Sequence, residues 1–225
     1  MFKHELLEKY PLERVDTPDG RYYKIIDYSL ATLRDDWYYP SVTTVLSKYY
    51  PFDREGWESR VGKETADKIS TQAKRRGNAM HKLYEDYLLN QTSKNVMPIN
   101  LVDFNKVKPI LNQNITKVYG VELPLFSNKL RLAGTCDAFV EWNGIPTLVD
   151  FKTSKKVKKI NEIPSYLTQA TIYSIMIEEL YGIKVPDIII IMTVDHEKDP
   201  LVFVEKTEDH ISKVHEILKE VSCIS

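Results

Sequence analysis

Ile188-Ile189-Ile190-Ile191-Met192 is the stretch that leaves this chain the fewest folds. A run of β-branched residues without polar alternation suits a strand buried on both faces, and such strands lie inside sheets covered by helices. The run predicts an interior strand over residues 185–194. A covered sheet needs helices, and the segment upstream supplies one. Pro164 suits a first turn and Gly182 a stop. Between them Leu167, Ala170, Ile172, Ile175, Met176, Ile177 and Leu180 predict a helix buried against the sheet. Gln169 and Tyr173, one turn apart on it, carry polar groups that need partners when buried.

Residues 132–153 read as strand, turn and strand. Asn143-Gly144 supplies the turn, because both residues tolerate positive φ. The second strand is apolar until Asp150, where burial of a carboxylate is costly without a specific role. Lys152 shares a strand face with Asp150, and Phe151 points the other way. Asp137 comes near Asp150 across the hairpin. Two carboxylates and a lysine at an open hairpin end suit a hard metal ion. They also suit hydrolysis, with the lysine holding the attacking water. An exposed Asp-x-Lys pair is the plain alternative. Gly134, three residues before Asp137, is a small residue where a chain can approach closely. Cys136 reads as a small buried filler.

Elsewhere, residues 16–20 read as a turn before a strand over 21–28. Ser41 or Thr43 can cap a short helix ending at Leu46 or Ser47; a surface turn anchored by Val42, Val45 and Leu46 is the preferred reading. Helices are expected over residues 54–69 and from 70 or 71 to 89, with Gly77 interrupting the second at modest cost. His81, Tyr84, Glu85 and Leu88 share one face of that helix. His81 either points inward beside a metal or pairs with Glu85 on the surface, and the second is the simpler local account. Lys74, Arg75, Arg76 and Lys82 form either a solvated face or a phosphate contact. A helix over 101–115 is expected to bury Val102, Val107, Ile110 and Leu111. A strand over 115–125 puts Glu122 opposite Val121 and Leu123, and a meander brings it near Asp137. Glu122 is then a further metal ligand or an exposed strand acid. Lys155, Lys156, Lys158 and Lys159 read as a phosphate-contacting edge or a solvated connector. A strand over 201–205 and a helix over 208–221 close the chain, with Ile211, Val214, Ile217, Leu218 and Val221 inward.

Length and composition narrow the classes. The chain has 225 residues, enough for one domain. With 43% hydrophobic and 28% charged residues it reads as an ordinary globular chain. A net charge of -1 leaves room for a nucleic-acid partner, which needs only a local basic track. Two cysteines are too few for a disulfide framework or a four-cysteine cluster, and fit a reducing compartment. No apolar stretch reaches membrane-spanning length, and the first residues carry neither an apolar signal core nor an Arg-rich presequence. A cytoplasmic protein is expected. Walker and dinucleotide glycine motifs are absent from the sequence.

In order along the chain, Gly77-Asn78-Ala79-Met80-His81, Glu122, Gly134-Thr135-Cys136-Asp137, Asp150-Phe151-Lys152-Thr153 and Gln169-Ala170-Thr171-Ile172-Tyr173 resemble the PD-(D/E)XK nuclease superfamily. The likeness is to its RecB-like exonuclease branch, and Pro40 to Leu46 resembles a segment of that branch's mitochondrial-type members. It covers roughly residues 38–205. The resemblance implies one α/β nuclease domain over 1–225, with a restriction-endonuclease-like core. That core is a central mixed β-sheet flanked by helices, with an N-terminal helical elaboration in which residues 54–90 form a wall or arch. By the same resemblance, His81, Asp137, Asp150 and the Phe151 carbonyl hold Mg²⁺ or Mn²⁺. Lys152 positions the nucleophilic water, Gln169 and Tyr173 support the site and meet DNA, and Glu122 is an auxiliary acid. Arg75, Arg76, Lys155, Lys156 and Lys158 are the expected phosphate contacts.

The implied activity is a DNA exonuclease that prefers single strands with a free end. Its settings would be recombination, repair, replication or degradation of DNA. A flap or junction endonuclease and a non-catalytic DNA-binding protein are the alternatives. DNA is the implied partner, with a single-strand-binding or replication/recombination protein as a second, in a bacterial or phage-infected cytoplasm. Cys136 stands where the superfamily's name has proline. The cysteines of iron–sulfur relatives and helicase motifs are absent, which implies a stand-alone nuclease.

Overall fold

The isoleucine run becomes an interior strand with both faces covered. The computed structural model describes residues 1–25 and 38–222, with side chains through residue 220. Strands β1 (Lys3–His4), β2 (Leu12–Thr17), β3 (Gly20–Ile25) and β4 (Tyr38–Pro40) open the chain. Helices α1 (Val42–Tyr49), α2 (Arg54–Val61), α3 (Lys63–Leu88) and α4 (Pro98–Asn114) follow. Then come β5 (Ile115–Ser127), β6 (Leu132–Trp142), β7 (Ile145–Ser154), α5 (Pro164–Tyr181), β8 (Asp187–Val194), β9 (Leu201–Lys206) and α6 (Thr207–Ser222). The main sheet runs β1-β5-β6-β7-β8-β9, and β2-β3-β4 form a second, smaller sheet. Pairing is antiparallel from β5 through β7, parallel between β7 and β8, and antiparallel to β9. The fold class is thus mixed α/β, with a central mixed sheet flanked by helices.

Strand β8 shows why. Ile188, Ile190, Met192 and Val194 join the core under α5, α6 and α1, while Ile189 and Ile191 join the core under α3 and α4. A helix between two parallel strands is the shortest way to return the chain, and α5 serves as that crossover. It begins at Pro164 and stops at Gly182, which takes the left-handed conformation at φ 69°. The β6–β7 turn uses Asn143 at φ 51° and Gly144 at φ 84°, as the Asn-Gly pair predicts.

Several expectations change. The helical break falls at Gly62, not near residue 70: Gly62 takes φ 84° and ψ 141°, while α3 runs unbroken through Gly77. A Cβ at Gly77 would meet nothing within 4 Å, so no packing inside the fold calls for glycine there. The preferred surface turn after Pro40 is instead a two-turn helix capped by Ser41, with Val42, Val45 and Leu46 buried. In α4, Phe104, Val107 and Leu111 are buried but Val102 is exposed, because the buried stripe runs through position 104. Strands β1 and β2 have no counterpart among the expected elements. The expected strand over 21–28 is described only to Ile25; residues 26–28, Cys223 and the side chain of Val221 lie outside the described residues. Among the described residues no helix is long and apolar enough to cross a membrane.

Candidate active site

Strands β6 and β7 pair from Trp142↔Ile145 to Ala138↔Val149, and then part. Past that point β6 stays with β5, and β7 stays with β8 as far as Ser154. The next residues inside this fork are Asp137 and Asp150. The N–H of Phe151, left without a β6 carbonyl, donates to Asp137 Oδ2 at 2.7 Å. The hairpin therefore brings the two acids to one place, as its register predicts.

Helix α3 adds His81, whose Nδ1 lies 3.2 Å from Asp137 Oδ1 and 4.0 Å from Glu122 Oε1. Tyr84 and Leu88, on the same helical face, are buried and fix its rotation. Tyr84 stacks on Phe151 at 4.0 Å between ring centres. Phe151 thus points away from Asp150 and Lys152, as expected. Glu122 arrives by a different route from the one the alternation predicts. It takes φ 43°, which side-chain-bearing residues seldom adopt. Val121 then packs under α3 and α4 while Leu123 packs under α5, so the two no longer share a face. Lys9 Nζ holds this kink by donating to the carbonyls of Val121 and Glu122 at 2.8 and 3.0 Å. The segment between β1 and β2 thus fastens a conformation that costs free energy on its own.

On the other side of the fork, Lys152 Nζ donates to Asp150 Oδ1 at 2.7 Å and to Gln169 Oε1 at 3.2 Å. Gln169 Nε2 in turn donates to Tyr173 OH at 3.4 Å. Half-buried Gln169 thus partners the hairpin lysine, and the buried Tyr173 hydroxyl partners Gln169. Tyr166, unremarked in the sequence, lies under the ammonium groups of both Lys152 and Lys158, each 5.1 Å from its ring centre.

Gly134 fits against this chain. A Cβ there would lie 2.7 Å from Tyr173 OH and 2.8 Å from its ring. Gly134→Ala is expected to push Tyr173 aside and cost about 1–3 kcal/mol of stability, the range for overpacking. Urea unfolding measures it, and a midpoint equal to wild type would show that the ring can yield.

The electrostatics are those of acids with too few cations. Burial, then the charge of Asp137, pushes Glu122 up to about 7. Burial pushes Asp150 up to about 6, against the pull of Lys152. Burial would also raise Asp137, but the hydrogen bond and charge of His81 hold it below the usual carboxylate range. The same contact raises His81 above its ordinary value although burial opposes it. Lys152 is raised too, since Asp150 and Asp137 outweigh its desolvation. Asp150 Oδ2 lies 2.7 Å from Lys152 Nζ, yet it is buried without an aligned hydrogen bond.

These features fit a divalent cation. Ligand atoms of His81, Glu122 and Asp137 lie within 4.8 Å of one another. Carboxylate oxygens with one imidazole suit Mg²⁺ and Mn²⁺. Asp150 stands beside this group, across the fork from Asp137. His81, Glu122 and Asp137 open into a cavity of about 590 Å³, also lined by Arg14, Arg21, Tyr23, Asn78 and Gln169. A larger cavity of about 840 Å³ lies between α3 and residues 92–100, away from the fork.

The expected phosphate contacts divide. Arg75, Lys155 and Lys156 are exposed, and Lys158 is half-buried against Tyr166. Arg76 is occupied within the fold: it bonds Asp103 at 2.6 Å and also pairs with Asp195, tying α3 to α4 and to the turn after β8. The sequence gives no sign of Arg14 and Arg21 at the site, because the strand pairing that carries them is non-local.

No known family profile matches the chain, and no curated protein matches it. Solved structures do. One is an exonuclease candidate from Eubacterium rectale, 12% identical over 66% of this chain and 66% of that one, with a TM-score of 0.46. The match spans just under two thirds of that protein's length. Another is SSO0001, 12% identical over 86% of this chain and 80% of that one, with a TM-score of 0.42.

Proposed function

We propose that this chain is a metal-dependent deoxyribonuclease of the PD-(D/E)XK type, acting as an exonuclease on single-stranded DNA with a free end. The observation that carries the reading is the fork of β6 and β7, which gathers Asp137, Asp150 and Lys152 beside His81 and Glu122. Glu122, Asp137 and His81 would hold the cation, with Asp150 completing its acidic wall. A bound Mg²⁺ or Mn²⁺ would supply Lewis-acid polarisation of the phosphate and a water of lowered pKa.

The chain's own groups do the rest. Lys152, held by Asp150 and Gln169, presents its ammonium to the attacking water and to the charge that grows on the phosphate. Gln169 and Tyr173 keep the lysine from swinging out. Asp137 orients His81 through Nδ1 and anchors the Phe151 N–H, so one carboxylate aligns both strands of the fork. Hydrolysis then proceeds by direct attack of water, with no covalent bond to the protein.

Preference for a free single-stranded end rests on α2 and the first half of α3. Helix α2 buries no residue, and α3 buries only Ala66 before Met80. This pair stands out from the body on the helix that carries His81, and forms a wall along which a strand can run. Lys155, Lys156 and Arg75 offer exposed phosphate contacts.

The test compares linear single-stranded DNA labelled at either end, circular single-stranded DNA and duplex DNA, each with Mg²⁺ or Mn²⁺. Loss of the linear strand with the circle spared is expected. Cutting of the circle would move the reading to an endonuclease.

A further inference from the structure

We propose that Arg14 and Arg21 form a phosphate-binding wall opposite the acids, holding a phosphodiester adjacent to the one that is cut. The inference deepens the nuclease reading and rests on it. It starts from the register of the small sheet. Strands β2 and β3 pair Asp16 with Arg21 and Arg14 with Tyr23. Alternate residues of a strand share a face, and directly opposed residues share it too, so these four side chains lie on one face. Arg14, Arg21 and Tyr23 line the cavity of about 590 Å³ whose other wall carries His81, Glu122 and Asp137.

One acid serves both arginines. Arg14 Nη2 lies 2.8 Å from Asp16 Oδ2, and Arg21 Nε lies 3.4 Å from Asp16 Oδ1. The face therefore keeps a positive charge. The Asp16 side chain is 61% exposed, so water screens both pairs and a phosphate can compete for the guanidinium groups. Neither arginine is buried, and no packing of the core holds them here.

The position of Arg21 is nonetheless fixed. Its backbone N–H donates to Thr44 Oγ1 at 2.9 Å, and its carbonyl accepts from the Ser41 N–H at 2.8 Å. The β2–β3 hairpin is thereby locked to α1, and Ser41 bridges to Ala133 on β6. A rigid mount places a planar, two-pronged cation across from a cluster of acids. Acids draw a metal ion, and guanidinium forks match pairs of phosphate oxygens. A nucleic-acid strand lying between the two walls offers both: a phosphate for the cation, and a neighbouring phosphate for the arginines.

The test uses the full chain and a short fluorescein-labelled single-stranded DNA. Binding is read by anisotropy across an NaCl series, in an Asp150→Asn background so that nothing is cut. Arg14→Ala and Arg21→Ala are each expected to raise Kd about ten-fold and to lower the log–log salt slope by about 0.7. In the otherwise native chain each raises KM similarly and changes kcat less than about three-fold, and the lysine variants fall between. Asp16→Asn is expected to tighten binding, since it frees both guanidinium groups. An unchanged Kd and slope in the arginine variants would overturn the proposal. So would weaker binding in Asp16→Asn, which is the mark of a cluster that merely braces the sheet. If the native chain cleaves DNA while both arginine variants bind normally, only this inference fails. If the native chain neither binds nor cleaves DNA, the nuclease reading fails with it.

Discussion

Asp150→Asn is expected to lower DNA cleavage on the order of 10³-fold or more, and Lys152→Ala to match it. Charge stabilisation at a metal-assisted site is worth several kcal/mol, and each 1.36 kcal/mol is a factor of ten. Asp150 and Lys152 act as a unit, joined at 2.7 Å, so the two losses should not add. They should differ in stability. Lys152→Ala leaves a buried carboxylate without its cation and is expected to cost about 3–5 kcal/mol. The variant must therefore be assayed well below its melting temperature, with circular dichroism to confirm folding. Glu122→Gln should behave in the opposite way. Its carboxyl is already pushed up to about 7, so removing the charge relieves first the cost of its burial and then its repulsion from Asp137, and raises the melting temperature at pH 8. Cleavage should still fall, because a metal ligand is lost. Gain of stability with loss of activity is the pattern of acids kept together for function. Full activity in Asp150→Asn or Lys152→Ala would remove the fork as the site of chemistry.

The second large effect is a metal-reversible loss of stability as pH rises. Asp150 has its folded pKa raised to about 6 from 3.8, and Glu122 to about 7 from 4.5. Between those values the folded protein keeps protons that the unfolded chain has released, so stability falls as pH rises. His81 has the same sign: its raised pKa contributes stability below 6.5, lost as pH climbs through the folded value. Asp137 is depressed, and its contribution is lost only as pH falls below the ordinary carboxylate range. The metal-free protein should thus melt at a lower temperature at pH 8 than at pH 5. For Asp150 only the stretch from pH 5 to its folded value of about 6 falls in this interval, about 1.4 kcal/mol, and Glu122 adds a share reduced by its contact with water. A cation removes the cause of the loss. At a hundred times its Kd it should contribute about 2.7 kcal/mol, or roughly 5–10 °C for a chain of this size. That gain should shrink below pH 6, where His81 and the acids hold protons that a metal must displace. Thermal melts at pH 5 and pH 8, with chelator or with Mn²⁺, measure all four corners. A melting temperature that rises from pH 5 to pH 8 without metal would contradict the charge distribution described here.

The parts of the site that sequence made legible are those built from local signals. Asn143-Gly144 fixed the hairpin, and the hairpin fixed Asp137 opposite Asp150. Pro164 and Gly182 bounded α5, which then carried Gln169 to Lys152. The isoleucine run put β8 in the sheet interior. What stayed hidden depends on partners far along the chain. Strand β2 has no strong alternation of its own and exists by pairing with β3. From sequence Arg76 reads as part of a solvated face or a phosphate contact, whereas in the fold Asp103 and Asp195 reach it from two other elements. Glu122 reads as an alternating strand residue, and its left-handed conformation is held by Lys9 from the N-terminal segment. Gly62 broke the long helix because a glycine in that conformation meets no steric penalty.

The most direct measurement is cleavage of a labelled linear single-stranded DNA by the native chain and by Asp137→Asn, each with Mg²⁺, with Mn²⁺ and with chelator. Expected is cleavage by the native chain in either metal, none in chelator, and none by the variant under any condition. Undiminished cleavage in chelator, or no cleavage in metal together with DNA binding that Asp137→Asn retains, would contradict a metal-dependent nuclease centred on the fork.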